Sequence, residues 1–369
     1  MALFQWARQN ADTPGNSPRV ELKQPFSTMS TRAWAAFDKG GTLQPFEFDP
    51  GDLRPDQVEI AVEYCGICHS DLSMLDNEWG QSKFPLVPGH EVVGRVVATG
   101  DHVPDSLKIG DLVGLGWFSE SCMHCDQCLG GDHNLCPTGE QTIVARHGGF
   151  AEKVRCHWVW ATPLPAGLDA AKAGPLFCGG ITVFNPIVQC GVKPTDRVGV
   201  IGLGGLGHLA LQFLDKWGCE VTAFSSNPAK TDELRSLGAD EIVNSRDSAA
   251  LGKVAGKFDF ILSTVNVPLD WNAYLSALAP KGRLHTVGAV LEPIPVPAFS
   301  LIAAQRAISG SNVTHSAPIA AARGEPELAQ NEDAAQRVIV DLPRPRRAFR
   351  PITSSASSMP TTSSQPITP

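Results

Sequence analysis

Four cysteines crowd into one short stretch, Cys122-Met-His-Cys125-Asp-Gln-Cys128, with seven more residues before Cys136. Thiolates this close can meet around one tetrahedral ion. Zn2+ suits them because it is borderline soft and imposes no geometry of its own. Such a centre staples a long loop that lacks an apolar core, so metal binding becomes folding energy. An iron–sulfur cluster is the main alternative, because Cys136-Pro137 matches the end of a ferredoxin motif. That motif sets a much shorter spacing before its last cysteine. Ordinary free cysteines are the remaining alternative. His124 and His133 lie inside the loop and read as solvated residues rather than ligands. The first residues carry no continuous apolar run and no small-residue cleavage site, so they do not read as a secretory leader. Metal binding in a reducing compartment therefore explains the 10 cysteines better than disulfides do, and predicts a cytoplasmic protein.

A second constellation is scattered along the chain. Cys68 stands in Cys65-Gly-Ile-Cys68-His69-Ser70-Asp71, His90 in Gly89-His90-Glu91, and Cys178 in Leu176-Phe-Cys178-Gly-Gly-Ile-Thr182. Each alone is weak, since an apolar-flanked cysteine such as Cys178 is ordinarily a core residue. Read together, two cysteines and one histidine make a three-ligand site with an open fourth position, the arrangement of catalytic zinc. Glu91 is placed to act as an outer or transient ligand, and Asp71 to hydrogen-bond the free ring nitrogen of His90. Cys65, Cys156, Cys190 and Cys219 are expected in the core.

The rhythm of the chain divides it. From residue 31 to about 160, short β segments such as 58–64, 92–98 and 111–115 are broken by Gly, Pro and Asp, which predicts a β-rich domain. From about 182 to 310, buried strands at 197–201, 220–225, 241–243, 258–263 and 283–287 alternate with helical stretches such as 207–217 and 229–237, which predicts a doubly wound parallel sheet. The first of these strands runs into Gly202-Leu-Gly204-Gly205-Leu206-Gly207 and then an amphipathic helix, the context that makes a dinucleotide fingerprint credible. Gly202 allows the tight turn, Gly204 admits a pyrophosphate close to the backbone, and Gly207 allows close helix–strand packing; the helix N-terminus stabilises the phosphate charge. Where NAD would call for an acid, the chain has Ser225-Ser226-Asn227-Pro-Ala-Lys230. Ser225, Ser226 and Lys230 favour a 2′-phosphate, hence NADP(H); a plain turn and helix cap is the alternative. A net charge of −8 argues against a nucleic-acid partner. No apolar run is long enough to span a membrane.

Together, Gly66–Asp71, Pro88–Glu91, the Cys122–Cys136 cluster, Leu176–Thr182, Gly202–Gly207 and Leu237-Gly-Ala-Asp240 resemble the zinc-dependent medium-chain alcohol dehydrogenases, in the branch of cinnamyl-alcohol dehydrogenases and broad-specificity aldehyde reductases. The resemblance covers about residues 29–310. It implies an α/β plus β fold, with a GroES-like catalytic domain and a Rossmann domain. It implies two zinc ions: one catalytic, on Cys68, His90 and Cys178 with Glu91 as alternate ligand, and one structural, on Cys122, Cys125, Cys128 and Cys136. The activity implied is hydride transfer between NADP(H) and a small-molecule alcohol or aldehyde. Ser70 would relay the proton, with Asp71 behind His90 and His69 near the cofactor pyrophosphate. In relatives a histidine stands where this chain has Ser73, so relay from the cofactor ribose to water is expected here. Trp79, Trp117 and Phe299 stand in pocket-lining regions of the family, with ordinary core aromatics as the alternative. Residues 299–311 fit the last Rossmann strand, whose free edge would form a homodimer.

The expected division is a disordered extension over 1–28, the GroES-like domain over 29–181, the Rossmann domain over 182–310 and an aberrant, disordered tail over 311–369. Patterning starts just after Met29, a candidate start of the chain. From Asn312 the resemblance stops, and 14 of residues 351–369 are Pro, Ser or Thr. A reading-frame shift near residue 312 is one expectation, and its functional corollary is a zinc-binding but catalytically impaired product; a genuine divergent tail is the alternative.

Overall fold

The computed structural model describes residues 30–314. The expected extension over 1–28 and the tail beyond Thr314 lie outside the described residues. The described chain opens with an antiparallel hairpin of β1 (Thr31–Ala35) and β2 (Gln44–Phe48). Then follow β3 (Gln57–Gly66), α1 (His69–Leu75), β4 (Glu91–Thr99), β5 (Leu112–Leu115), β6 (Phe118–Glu120), α2 (Asp126–Leu129), β7 (Glu140–Gln141), β8 (Lys153–His157), β9 (Thr162–Pro163) and α3 (Ala170–Ala173). Five of these strands form an antiparallel sheet in the order β8-β3-β4-β5-β9. Its core is Val58, Ile60, Val92, Val96, Val113, Leu115 and Phe118. Gly66 at the end of β3 pairs with Glu91 at the start of β4. The segments that leave these strand ends, carrying Cys68 and His90, therefore emerge side by side. A Cβ at Gly66 would overlap the Glu91 side chain as it lies, so the glycine leaves room for that carboxylate.

The second half contains α4 (Gly179–Gln189), β10 (Arg197–Ile201), α5 (Gly205–Trp217), β11 (Glu220–Ser225), α6 (Thr231–Ser236), β12 (Glu241–Asn244), α7 (Ser248–Lys253), β13 (Phe258–Ser263), α8 (Trp271–Ala277), β14 (Leu278–Thr286), α9 (Ala298–Ile302) and β15 (Ala307–Gly310). The sheet is parallel throughout, in the order β12-β11-β10-β13-β14-β15. Both faces are covered, as parallel strands require. Val198, Val200, Phe260 and Leu262 pack under α4 and α5, while Ile201, Phe224, Ile261 and Leu284 pack on Trp271 and Tyr274 of α8. The strand order reverses between β10 and β13, which is where such sheets open a ligand crevice.

Two details differ from expectation. The division expected at 181/182 falls inside α4, whose Val183 and Ile187 join the core with Leu211 and Leu214 of α5. The helix expected over 229–237 begins as a 3-10 turn, Pro228–Lys230, because the Asn227 side chain caps Ala229 and Pro228 sits in the first turn.

His285 on β14 is buried. Its Nδ1 lies 2.9 Å from Ser309 Oγ of β15 and its Nε2 2.9 Å from Ser311 Oγ. Burial, with Arg283 nearby, pushes its pKa down from 6.5 to about 4. The unfolded chain takes up this proton as pH falls through 6.5, whereas the folded chain refuses it until about 4. Stability present above the upper value is therefore lost across that window, to the extent of about 3 kcal/mol at most. His285→Asn keeps a hydrogen-bonding group but removes the titration. Melting temperature followed from pH 7 to pH 4 should fall less steeply in the variant than in the parent.

Candidate active site

Three distant segments meet at one point. Cys68 is the N-cap of α1, His90 immediately precedes β4, and Cys178 lies between the 3-10 turn Gly174–Phe177 and α4. Cys68 Sγ is 3.8 Å from Cys178 Sγ, and His90 Nε2 is 3.2 Å from Cys178 Sγ. These are close to the edges of a tetrahedron with arms of about 2.0–2.3 Å, the bond lengths of zinc to imidazole and thiolate. The Glu91 carboxylate is within 4.8 Å of all three ligand atoms. His90 is fully buried, and its Nδ1 faces Asp71 Oδ1 at 2.9 Å, which turns Nε2 toward the cysteines.

The electrostatics suit a cation. Hydrogen bonding from Cys178, against burial and with help from His90, brings the Cys68 thiol down to about 4. Cys178 itself is pushed well up by its hydrogen bond to Cys68 and by burial. Burial and the Cys68 charge raise Glu91 to about 8. Burial works against a charged His90, but Asp71 and Cys68 outweigh it and hold the ring near 10. Two thiols, a carboxylate and an oriented imidazole crowded in a buried site make a soft, anionic donor set, which fits zinc.

The four-cysteine loop closes as the spacing predicts. Cys122, Cys125, Cys128 and Cys136 bring their Sγ atoms within 4.8 Å of one another. Backbone N–H groups of Cys122, Cys125 and Cys128 donate to the sulfurs of Cys136, Cys122 and Cys125 at 3.3, 3.3 and 3.5 Å. His124 is exposed and outside the donor set, as expected. His133 is buried rather than solvated, because the turn His133–Leu135 sets its ring edge-on to Trp160, centroids 6.4 Å apart. It is not in the donor set either.

The glycine loop lies at the end of β10, at the reversal of strand order. Gly202 has φ 89°, and a Cβ there would fall 2.6 Å from Val265. At Gly204 and Gly205 a Cβ would meet nothing, so the backbone is open to a ligand. A Cβ at Gly207 would overlap the Gly202 carbonyl. Leu206 packs against the residue next to Cys178: a Cβ at Gly179 would touch its Cδ1 at 3.5 Å. The glycine loop and the metal cluster are thus neighbours. At the end of β11, Ser226 is exposed and Lys230 half-buried. Ser225 departs from its expected role: it is buried, and its hydroxyl bonds the backbone N–H and carbonyl of Asn227, both at 3.2 Å. The turn consumes it.

Of the other expected residues, Ser70 is half-buried on α1 and His69 exposed, while Ser73 is buried. Trp117 packs edge-on against His90, centroids 5.0 Å apart, and Trp79 packs on Trp117 at 5.8 Å. Phe299 is 76% exposed on α9, so it is no core aromatic. Cys156 and Cys219 are buried; Cys65 and Cys190 are half-buried against the cores. Two residues were missed. Gly66 makes room for Glu91, which a glycine two positions before Cys68 could have signalled. Thr264 Oγ1 donates to the Gly202 carbonyl at 2.7 Å, fixing the glycine turn from the end of β13; its only signal is a hydroxyl after an apolar strand.

Residues 54–166 match the family model described as "Alcohol dehydrogenase GroES-like domain", and residues 205–324 the one described as "Zinc-binding dehydrogenase". The second match runs past Asn312, where the resemblance was expected to stop. Aldehyde reductase AdhA of Synechocystis sp. is 57% identical over 289 residues, covering 78% of this chain and 86% of that protein. A cinnamyl alcohol dehydrogenase structure from Sorghum bicolor superposes with TM-score 0.74 at 36% identity, covering 82% of this chain and 88% of that one. CAD from Helicobacter pylori, complexed with NADP(H), superposes with TM-score 0.72 at 27% identity, over 83% and 89%.

Asp71→Asn removes a pure acceptor from behind His90 while leaving the ligands in place. Zinc affinity at the Cys68/His90/Cys178 site should fall about 10–100-fold, while the four-cysteine site keeps its metal. Competition with a graded series of chelators measures both.

Proposed function

The chain belongs to the zinc-dependent medium-chain alcohol dehydrogenases, in their cinnamyl alcohol dehydrogenase and aldehyde reductase branch, and on that premise we propose how its own residues carry out the family's reaction. It is an oxidoreductase that interconverts alcohols and aldehydes with zinc and NADP(H). The observation that carries the proposal is the convergence of Cys68, His90 and Cys178, with Glu91 beside them, next to an open glycine turn. No comparison supports the frame-shifted alternative, and all but the first few residues it rests on lie beyond those described.

Cys68, His90 and Cys178 would hold the catalytic zinc, Glu91 being the alternate ligand, and Cys122, Cys125, Cys128 and Cys136 the structural one. When bound, the catalytic zinc supplies a Lewis acid for the substrate oxygen and NADP(H) supplies or takes the hydride. Asp71 holds the His90 ring in one tautomer. Ser70, in the first turn of α1 and two residues from Cys68, would hold and relay the proton of the substrate oxygen. His69, exposed beside it, would lie near the pyrophosphate of a bound cofactor. Trp117 and Trp79 wall the cleft beside His90, exclude water and offer an apolar flank to an aromatic or medium-chain aldehyde. Gly202, Gly204, Gly205, Leu206 and Gly207 would hold the cofactor pyrophosphate at the start of α5. Ser226 and Lys230 would hold the 2′-phosphate, and Ser225 shapes the turn that presents them.

The GroES-like domain is assigned up to Cys178 and the Rossmann domain from α4 onward. A homodimer would form through β15. That strand pairs with β14 alone among the described residues, and Leu291, Phe299 and Ile302 nearby are exposed apolar groups. Ten free thiols, six of them in metal donor sets, support a reducing, cytoplasmic setting. No helix among the described residues is long and apolar enough to cross a membrane.

The test is reduction of aromatic and aliphatic aldehydes, followed by NADPH oxidation. NADPH should outperform NADH, and a chelator that strips the catalytic zinc should abolish turnover. Lys230→Ala with Ser226→Ala should raise KM for NADPH roughly tenfold with little change for NADH. Ser70→Ala should lower kcat about 100-fold or more. Preference for NADH, or turnover indifferent to zinc removal, would contradict the assignment.

A further inference from the structure

Cys178 comes from far along the chain, and its own backbone makes only local bonds, its carbonyl accepting from the Thr182 N–H of the following helix at 3.0 Å. Its φ of −123° and ψ of −87° belong to neither the 3-10 turn before it nor the helix after it. Its N–H reaches only Pro175 O, at 3.3 Å. Bonds to its own neighbours do not place it against Cys68 and His90, so what the preceding residues rest on bears on its direction. A Cβ at Gly174 would lie 2.6 Å from the Glu91 carbonyl, so the turn starts in close contact with the beginning of β4. Three residues on, the Phe177 ring lies on the backbone of Gly114, where any Cβ would overlap its Cε2 and Cζ. The Phe177 carbonyl, which belongs to the peptide that carries Cys178, lies on Gly116, where a Cβ would overlap it.

This seat is rigidly tied to the other ligands. Gly114 pairs with Val93 and Leu115 with Val92, in the strand that begins at Glu91, directly after His90. Trp117, next to Gly116, packs edge-on against His90 itself. One short stretch, Gly114-Leu-Gly-Trp117, therefore touches His90 on one side and the Phe177–Cys178 peptide on the other. We infer that Phe177, seated on Gly114 and Gly116, is the positioning residue that sets Cys178 Sγ against Cys68 and His90. It is not a catalytic residue, since it acts through Cys178. The inference rests on reading Cys68, His90 and Cys178 as a metal site.

Cobalt(II) uptake tests it, because thiolate-to-cobalt absorption reports each site apart from activity, and the four-cysteine site is an internal control. The parent should take up two cobalt ions per chain. Phe177→Ala and Gly116→Ala should weaken the Cys68/His90/Cys178 site at least tenfold and alter its band, with the four-cysteine band intact. Phe177→Leu, which keeps a bulky apolar group on Gly114, should retain most of the affinity. Gly199→Ala inserts a methyl 2.6 Å from Phe224 in the parallel-sheet core; it should lower the melting temperature and leave both cobalt sites unchanged. If Gly116→Ala does not fold, Phe177→Ala decides. Retention of both cobalt bands in Phe177→Ala, with only a lower melting temperature, would overturn the inference. A parent that binds cobalt at the four-cysteine site alone would overturn the metal-site reading, and the inference with it.

Discussion

One buried carboxylate ties the ligand loops together. Asp71 Oδ1 accepts from the Gly89 N–H and faces His90 Nδ1, and its Oδ2 accepts from the Cys68 N–H, each at 2.9 Å. A buried carboxylate without such partners would be costly, and charge-assisted hydrogen bonds of this kind are among the stronger ones. Here the partners are the backbones and ring of two segments that would otherwise be free to drift apart. The β3–β4 register brings them side by side, and Asp71 locks them. The third ligand arrives from a different direction, on the segment that leads into α4.

That segment joins the two halves of the molecule. Cys178 belongs to the candidate metal cluster, yet Gly179, its neighbour, opens the helix that packs into the Rossmann core and lies beside Leu206 of the glycine turn. A hydride can pass only between groups nearly in contact. With Cys178 in the proposed metal site and the next residue beside the glycine turn, one short segment would register the two sites. It also explains why a domain boundary drawn from sequence rhythm fell within a helix.

The sequence revealed what depends on side-chain identity at fixed spacing. The four-cysteine loop, the glycine fingerprint and three of the parallel strands stand where their patterns put them, because metal geometry and close backbone approach leave few substitutes. Assembly of Cys68, His90 and Cys178 could be named from a resemblance, but the pairing of Gly66 with Glu91 and the seat of Phe177 could not. Those are long-range contacts in which the informative atom is the missing Cβ of a glycine. Ser225 shows the opposite limit. A hydroxyl at the right position looked like a ligand group, but the local backbone had first use of it. His133 similarly looked exposed because its loop is polar, although the fold turns it onto Trp160.

The central claim is that the chain holds two zinc ions of different character, one in an all-sulfur cage and one in a mixed, open site. X-ray absorption at the zinc edge of the purified protein measures this directly. The account predicts two zinc ions per chain, with an average of about three sulfurs per zinc at roughly 2.3 Å and the rest nitrogen or oxygen at roughly 2.0–2.2 Å. A single zinc per chain with four sulfur neighbours would contradict it, because the Cys68, His90 and Cys178 cluster would then not be a metal site.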